Sequence, residues 1–393
     1  MIKRLVALAA VAVSLHGGAQ AQEPIKIGLL TIDAGPFAVY NNYVTQPAEL
    51  AVETFNARGG ALGRKYEIVV QSHSGPPASA VSSATKLAQQ GGVSFMSGIN
   101  TSALAGAISP KLAGLNALWF DTGSSLSDLT GKLCQPNYFR TSASDGILMT
   151  MVRAALMDSK IKTWNLIMPD YSAGHEQAKS FTALVHEMGG SVQTTLFAPL
   201  STTDFGSYIS QLNAKPADGL VVFFSGSSSV ALAKQQQQFG LFSKYKQVLS
   251  WYFANDMTLP AMGDTINGVF SVMSYSWDMP GEKNAAFVKA FEAKFKRKPT
   301  FGDADNYVAY ELLHAAILKA KSTDVDKVRA ALSGLKASTI LGDVEMRATD
   351  HQLVRPMVLA QVLPGKDGKS VMGLKFVESA QKVTPPPSGE CKF

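Results

Sequence analysis

From residue 25 onward, short apolar runs alternate with longer stretches in which apolar residues return every three or four positions. Ile25 to Leu30 (IKIGLL) reads as a buried strand. Residues 46–58 read as a helix, with Pro47 near its first turn and Ala48, Ala51, Val52 and Phe55 on one face; Gly59-Gly60 stops it. Tyr66 to Val70 is the next strand. A helix around 78–90 leads to strand Val93 to Met96, and a helix from about Leu104 leads to strand Ala117 to Phe120. The rhythm is that of a parallel sheet covered by helices.

The alternation restarts after Ser144. Helices 145–158, 175–188, 204–214 and 229–239 precede strands Trp164 to Met168, Val192 to Phe197, Leu220 to Phe224 and Gln247 to Trp251. A strand near Val269 to Tyr275 follows. Helices at about 283–296, 304–321 and 325–335 come next, and strands at about 354–363 and 371–377 close the fold. Two α/β halves therefore follow one another without a Pro/Ser-rich linker. The tail Pro385-Pro386-Pro387 reads as extended, and the glutamine run Gln235 to Gln238 as mid-helix.

Met1 to Ala21 departs from this rhythm. Lys3 and Arg4 precede the apolar stretch Leu5 to Leu15, and Ala19-Gln20-Ala21 has the form of a cleavage site, which places the mature start at Gln22. Eleven residues are too few for a bilayer, which takes ~20. The expectation is an exported, soluble protein, away from ATP, NADH and the cytosolic metabolite pool. At 393 residues, 46% hydrophobic and 17% charged, the chain suits about two globular domains. Net charge is +6, or about +4 once Lys3 and Arg4 leave with the signal. The basic cluster Lys294, Lys296, Arg297 and Lys298 could touch an anionic membrane surface, but reads better as the solvated last turn of a helix. No basic stripe suggests nucleic acid. Cys134 and Cys391 either form one disulfide or stay as two thiols; an oxidising compartment favours the bond.

Catalytic patterns are missing. His186-Glu187 is followed by Met-Gly-Gly, which breaks a zinc helix, and Gly226-Ser227-Ser228-Ser229-Val230 lacks the final glycine of a nucleophile elbow. No dinucleotide or phosphate-loop glycine pattern is present, so no cofactor is implied. Three polar clusters instead follow strands: Gly98-Ile99-Asn100-Thr101-Ser102, Asp121-Thr122-Gly123-Ser124-Ser125 and Ser225-Gly226-Ser227-Ser228-Ser229. Ligands of open α/β sheets bind beyond the carboxyl ends of strands. Hydroxyls and first-turn N–H groups there suit a carboxylate, although each cluster alone also fits simple helix capping. Tyr40, Tyr171, Trp251, Tyr252 and Phe253 lie beside these loops, where an apolar part of a ligand would stack.

In order and spacing, IKIGLL…AGPFAVY, FNARGGALGRKYEIV, FMSGINTSALAGAISP, GSSLSDLTGKLC, PDYSAGH, EMGGSV, TTDFGSYISQL and KPTFGDADNYVAYELL resemble the leucine-binding-protein family. These are the solute-binding proteins of branched-chain-amino-acid-type ABC importers, with a type I periplasmic binding fold. The resemblance implies two Rossmann-like lobes joined by three crossovers: residues 22–142 plus 274–350, and 143–273 plus 351–393. It implies a monomer in the periplasm that closes on a small ligand and presents both lobes to a membrane permease. Tyr40 matches the family's first-loop aromatic after Gly35-Pro36. Ser102 matches the hydroxyl that holds the ligand carboxylate, and Gly123 to Ser125 the second carboxylate loop. Ala173 stands where the family usually has an aromatic, with Tyr171 two residues earlier. Where amino-acid binders carry an acid for the α-ammonium, this chain has Trp251-Tyr252-Phe253, and Asp256 is off register. That departure, with SDLTGKLC and the second cysteine, resembles the subgroup for aromatic or other small carboxylates. Ligand candidates are Tyr40, Ser102, Gly123, Ser124, Ser125, Tyr171, Ser225, Trp251 and Tyr252. A sensor of the same fold and an exported serine hydrolase are the competing readings; a binding role without catalysis is the expectation.

Overall fold

A computed structural model describes residues 23–35, 37–98, 101–366 and 369–393. The expected signal Met1 to Ala21 and cleavage point lie outside the described residues, as do Pro36, Ile99 and Asn100. No helix among the described residues is long and apolar enough to cross a membrane.

Two mainly parallel sheets carry the α/β architecture. In the first, β1 (Ile25–Ile32), β2 (Tyr66–His73), β3 (Phe95–Gly98), β4 (Leu118–Asp121) and β5 (Tyr138–Arg140) lie in the order β2-β1-β3-β4-β5, all parallel. Helices α1 (Asn42–Ala57), α2 (Pro77–Gln89) and α3 (Ser102–Ile108) belong to this half. The second sheet holds β6 (Thr163–Pro169), β7 (Ser191–Ala198), β8 (Gly219–Val222), β9 (Gln247–Trp251) and β10 (Phe270–Met273), with α4 (Asp145–Leu156) before them and α5 (Ser172–Glu187), α6 (Gly206–Ala214), α7 (Gly226–Gln238) and α8 (Leu259–Met262) between them. The chain then returns to the first half. Helices α9 (Glu282–Phe295), α10 (Phe301–Ala320) and α11 (Val325–Leu332) follow, with α10 packed on α1 and α11. A small antiparallel sheet comes next: β11 (Lys336–Thr339), β12 (Gly342–Met346) and β13 (Leu353–Val354). Finally β14 (Met357–Pro364) and β15 (Ser370–Glu378) add antiparallel to β10, and α12 (Ala380–Val383) precedes the tail.

The three passages between the halves meet at one side chain. Arg355, fully buried, donates from Nη1 to the Thr141 carbonyl at 2.7 Å and to Asp305 Oδ1 at 2.6 Å, and from Nη2 to the Ser274 carbonyl at 2.5 Å. Thr141 follows β5, Ser274 follows β10, and Arg355 precedes β14, so one guanidinium fork ties every crossing. The cysteines are bonded: Cys134 and Cys391, 257 residues apart, bring the tail back to the loop before β5 with Cα atoms 5.5 Å apart.

Several boundaries differ from the sequence expectation for physical reasons. Helix α1 starts at Asn42 rather than 46. The Asn41 side chain exchanges two hydrogen bonds with the Ile32 backbone, at 3.0 and 2.8 Å, which fastens the helix start to the end of β1. Pro47 therefore sits inside the helix and leaves the Tyr43 carbonyl without its usual partner; Asn306 Nδ2 donates to it at 3.3 Å. Helix α7 starts at Gly226, so the glutamine run forms its last turn and not its middle. Gln235 Oε1 there accepts the Phe205 N–H at 2.7 Å. The basic cluster is less solvated than expected. Half-buried Arg297 forms a double hydrogen bond with wholly buried Asp303 at 2.7 and 2.8 Å, and Lys294 and Lys298 pair with Glu53 and Glu292. Strands β5, β11, β12 and β13 were not expected from the sequence.

Candidate functional site

The carboxyl ends of β1, β3, β4, β6, β8 and β9 face a cavity of about 130 Å³ between the two halves. Gly98 ends β3 at φ +148°, and a Cβ there would lie 2.3 Å from the Leu30 carbonyl oxygen, so the strand end presses against β1 in a way that needs glycine. Thr101 caps α3 and brings Ser102 to the cavity wall. Ser102 Oγ accepts the Leu126 N–H at 3.2 Å, and Ser125 Oγ accepts from Gln177 Nε2 at 3.2 Å. Each serine oxygen thus has one lone pair occupied and a proton still to place. Both serines are buried and line the cavity.

The loop after β4 is organised by Asp121. Its Oδ1 accepts the N–H groups of Gly123 and Ser124 at 3.0 and 2.9 Å, and its Oδ2 accepts the hydroxyls of Ser124 and Tyr138. Two corrections follow. Ser124 faces Asp121 and not the cavity, and the amide hydrogens of Gly123 and Ser124 are already used to shape the loop. Gly123 and Ser125 remain on the wall, with Thr122 and Ser142. Ser225 also lines the cavity as the N-cap residue of α7.

Seven aromatic rings complete the wall: Phe37, Tyr40, Tyr43 and Phe301 from the first half, Tyr171, Phe223 and Tyr252 from the second. Tyr171, Phe223, Tyr252 and Phe301 form a continuous series with ring centroids 5.8 to 6.4 Å apart, the last step passing from one half to the other. Tyr40 also bridges, its hydroxyl accepting the Gly226 N–H. Burial raises the phenols of Tyr40, Tyr171 and Tyr252, which keeps them neutral. Tyr252 reaches the cavity from a left-handed backbone, φ 62°, held by Asn255 Nδ2 donating to its carbonyl at 2.7 Å. Trp251 does not line the cavity, contrary to expectation. The last residue of β9, it packs behind the wall on Phe223 and Phe181 and donates its indole N–H to Gln177 Oε1.

Sequence reasoning missed α10 as part of the wall. Phe301, Gly302, Asp305 and Asn306 line the cavity. The available signal was the polar set Asp303, Asp305 and Asn306 at the start of an otherwise apolar helix, residues that burial forces into specific partnerships. Asp305 is the acidic side chain on the wall, and its charge is taken. Besides Arg355, it receives the Ser274 hydroxyl at 2.9 Å on Oδ2. Burial pushes its carboxyl up, against the pull of Arg355. Asp256 does not line the cavity; burial and then the nearby Asp278 charge raise its carboxyl to about 7.

A family model described as periplasmic binding protein matches residues 24–369. The chain belongs to the periplasmic binding protein family. It is accordingly a solute-binding protein, not an enzyme, and its two sheets are those of the type I periplasmic binding fold. It is 25% identical over 377 residues to the Leu/Ile/Val-binding protein homolog 6 of Brucella melitensis biotype 1, covering 92% of this chain and 94% of that one. An amino acid ABC transporter substrate-binding protein from Pseudomonas fluorescens Pf-5 superposes with a TM-score of 0.85 at 25% identity, covering 95% of this chain and 100% of the other. A solute-binding protein of an ABC transporter from R. palustris, solved in complex with benzoate, superposes with a TM-score of 0.79 at 25% identity, over 89% and 96% of the two chains.

Proposed function

We propose that this protein captures a small carboxylate bearing one aromatic ring and delivers it to the permease of an ABC importer. The two halves act as lobes, 22–142 plus 274–350 and 143–273 plus 351–393, that close over the ligand by bending at the crossings around Arg355. The signal sequence sends the chain to the periplasm, where it works as a monomer. Ser102 and Ser125 donate to the carboxylate, and the rings of Tyr40, Tyr171, Phe223 and Tyr252 enclose the apolar body.

One observation carries this reading. Seven rings and two available hydroxyls surround a single cavity whose carboxylate, Asp305, is already paired with a buried arginine. An amino acid's ammonium would find no free counter-charge there, and burying it unpaired costs several kcal/mol. Size agrees: about 130 Å³ is close to the ~150 Å³ apolar cavity that takes up benzene in another protein. The benzoate complex of the R. palustris relative supports the same class. Calorimetry with benzoate, 4-hydroxybenzoate, cinnamate and leucine tests it. Tight binding of an aromatic acid is expected; leucine binding tightly while every aromatic acid fails would overturn it.

A further inference from the structure

Behind Ser125, outside the cavity wall, lies a buried polar group that binding as described leaves unused. Gln177 on α5 is fully buried. Its Oε1 accepts the indole N–H of Trp251, and its Nε2 donates to Ser125 Oγ at 3.2 Å and to Asp145 Oδ1. The indole nitrogen is a donor only, so the amide atom facing it is the oxygen and the nitrogen faces Ser125. The orientation of Gln177 is thereby fixed, and Ser125 must send its own proton elsewhere.

Two acceptors are open to that proton: the Asp145 carboxyl and a ligand in the cavity. Asp145 is a poor competitor. Its Oδ1 already accepts from Gln177, and both the Ser125 hydroxyl and the Glu176 carboxyl lie within hydrogen-bonding reach of the same carboxyl. Burial first, and then the neighbouring Glu176 charge, push the Asp145 carboxyl well up, so it is a weaker acceptor than a ligand carboxylate. The backbone keeps the geometry tight, with the Asp145 N–H donating to the Ser125 carbonyl at 2.7 Å.

The structure assigns Gln177 as the positioning residue that makes Ser125 a hydrogen-bond donor toward the cavity, and so selects a carboxylate over the corresponding primary amide. The assignment rests on the reading that Ser102 and Ser125 hold the ligand's carboxylate. A carboxylate offers an oxygen to each serine. An amide offers one oxygen and sets its NH2 against the other serine's proton. Gln177→Glu reverses this logic: the new carboxylate still accepts from Trp251, but it also accepts the Ser125 proton, leaving the Ser125 oxygen as an acceptor for an amide N–H.

The test is calorimetry on the full mature chain, wild type against Gln177→Glu and Gln177→Met, with benzoate against benzamide and leucine against leucine amide. In Gln177→Glu the carboxylate-to-amide affinity ratio falls about tenfold or more, with the amide held or tightened. Gln177→Met, which keeps the volume and removes the donor, lowers the ratio less and decides the matter if the glutamate variant does not fold. A role confined to packing would weaken acid and amide by the same factor. A ratio within about threefold of wild type in the folded variants therefore overturns the assignment alone. Wild-type protein that binds neither benzoate nor leucine overturns the carboxylate reading, and this assignment with it.

Discussion

Ser102 and Ser125 matter because of what reaches their oxygens from behind. A backbone N–H in one case and a glutamine amide in the other occupy one lone pair on each oxygen, so in the proposed complex each hydroxyl donates to the ligand. A hydrogen bond to a charged group contributes about 1.5–3 kcal/mol. Ser102→Ala and Ser125→Ala are each expected to weaken benzoate roughly 10- to 100-fold by calorimetry, and a loss below about twofold in both would remove them from the site. Titration leaves its mark elsewhere. Glu311 on α10 is half-buried, its carboxylate accepting the Ile340 N–H at 3.0 Å, and the burial of that carboxyl raises it from 4.5 to about 7. The folded chain thus keeps a proton that the unfolded chain releases over that range. Its contribution is complete below about pH 4.5 and is lost as pH rises through 7, on the order of 3 kcal/mol. Glu311→Gln removes that slope, so urea unfolding of the variant weakens less than wild type between pH 5 and 8; parallel pH profiles would contradict it. His351, stacked on Phe139, met by a tilted Phe393 ring and lowered by burial to about 4, acts in the other direction, losing its contribution as pH falls from 6.5 toward 4.

Strands and helices place these side chains through a few close approaches. Gly98 lets β3 end against β1, and its φ of +148° is one that side-chain-bearing residues rarely adopt. Gly98→Ala sets a methyl 2.3 Å from the Leu30 carbonyl oxygen and 2.6 Å from its nitrogen. A cost of at least about 1–3 kcal/mol in urea unfolding is expected, together with weaker benzoate binding, because Thr101 and Ser102 follow immediately. Unchanged stability would mean that the strand end is looser than the geometry indicates. Pro47 shows a related arrangement. It frees a carbonyl on α1 that Asn306 on α10 meets, and the same Asn306 accepts the hydroxyls of Ser97 and Thr122 at 3.3 and 3.2 Å. One amide thus links α1, β3 and the loop after β4 at the cavity floor.

For the complete chain, the decisive contacts join distant segments. Arg355 and Asp305 tie the crossings, and the Cys134–Cys391 bond adds a fourth connection. Arg355→Met leaves the Asp305 carboxylate buried beside the cavity without its partner, at a cost of about 3–5 kcal/mol. Adding Asp305→Asn removes the stranded charge and should restore part of that stability in urea unfolding. A double variant as unstable as the single one would show that the arginine acts through its backbone contacts alone.

The α/β alternation, the two halves and the loops that bear the hydroxyls were legible in the residues, because apolar period and strand-end polarity are local properties. Strand β9 was read to the residue, and Tyr40, Ser102, Ser125, Tyr171, Ser225 and Tyr252 were named from the polar clusters after strands, the aromatics beside them and the family resemblance. Side-chain direction was not legible. Trp251 and Tyr252 are neighbours that both pack on Phe223, yet only Tyr252, at its left-handed backbone, lines the cavity, and Ser124 turns inward because Asp121 collects its hydroxyl. Nor did local pattern reveal that α10, two hundred residues downstream of β3, closes the cavity floor, or that Arg355 neutralises Asp305 there. Burial couples residues by distance in space, and only folding sets those distances.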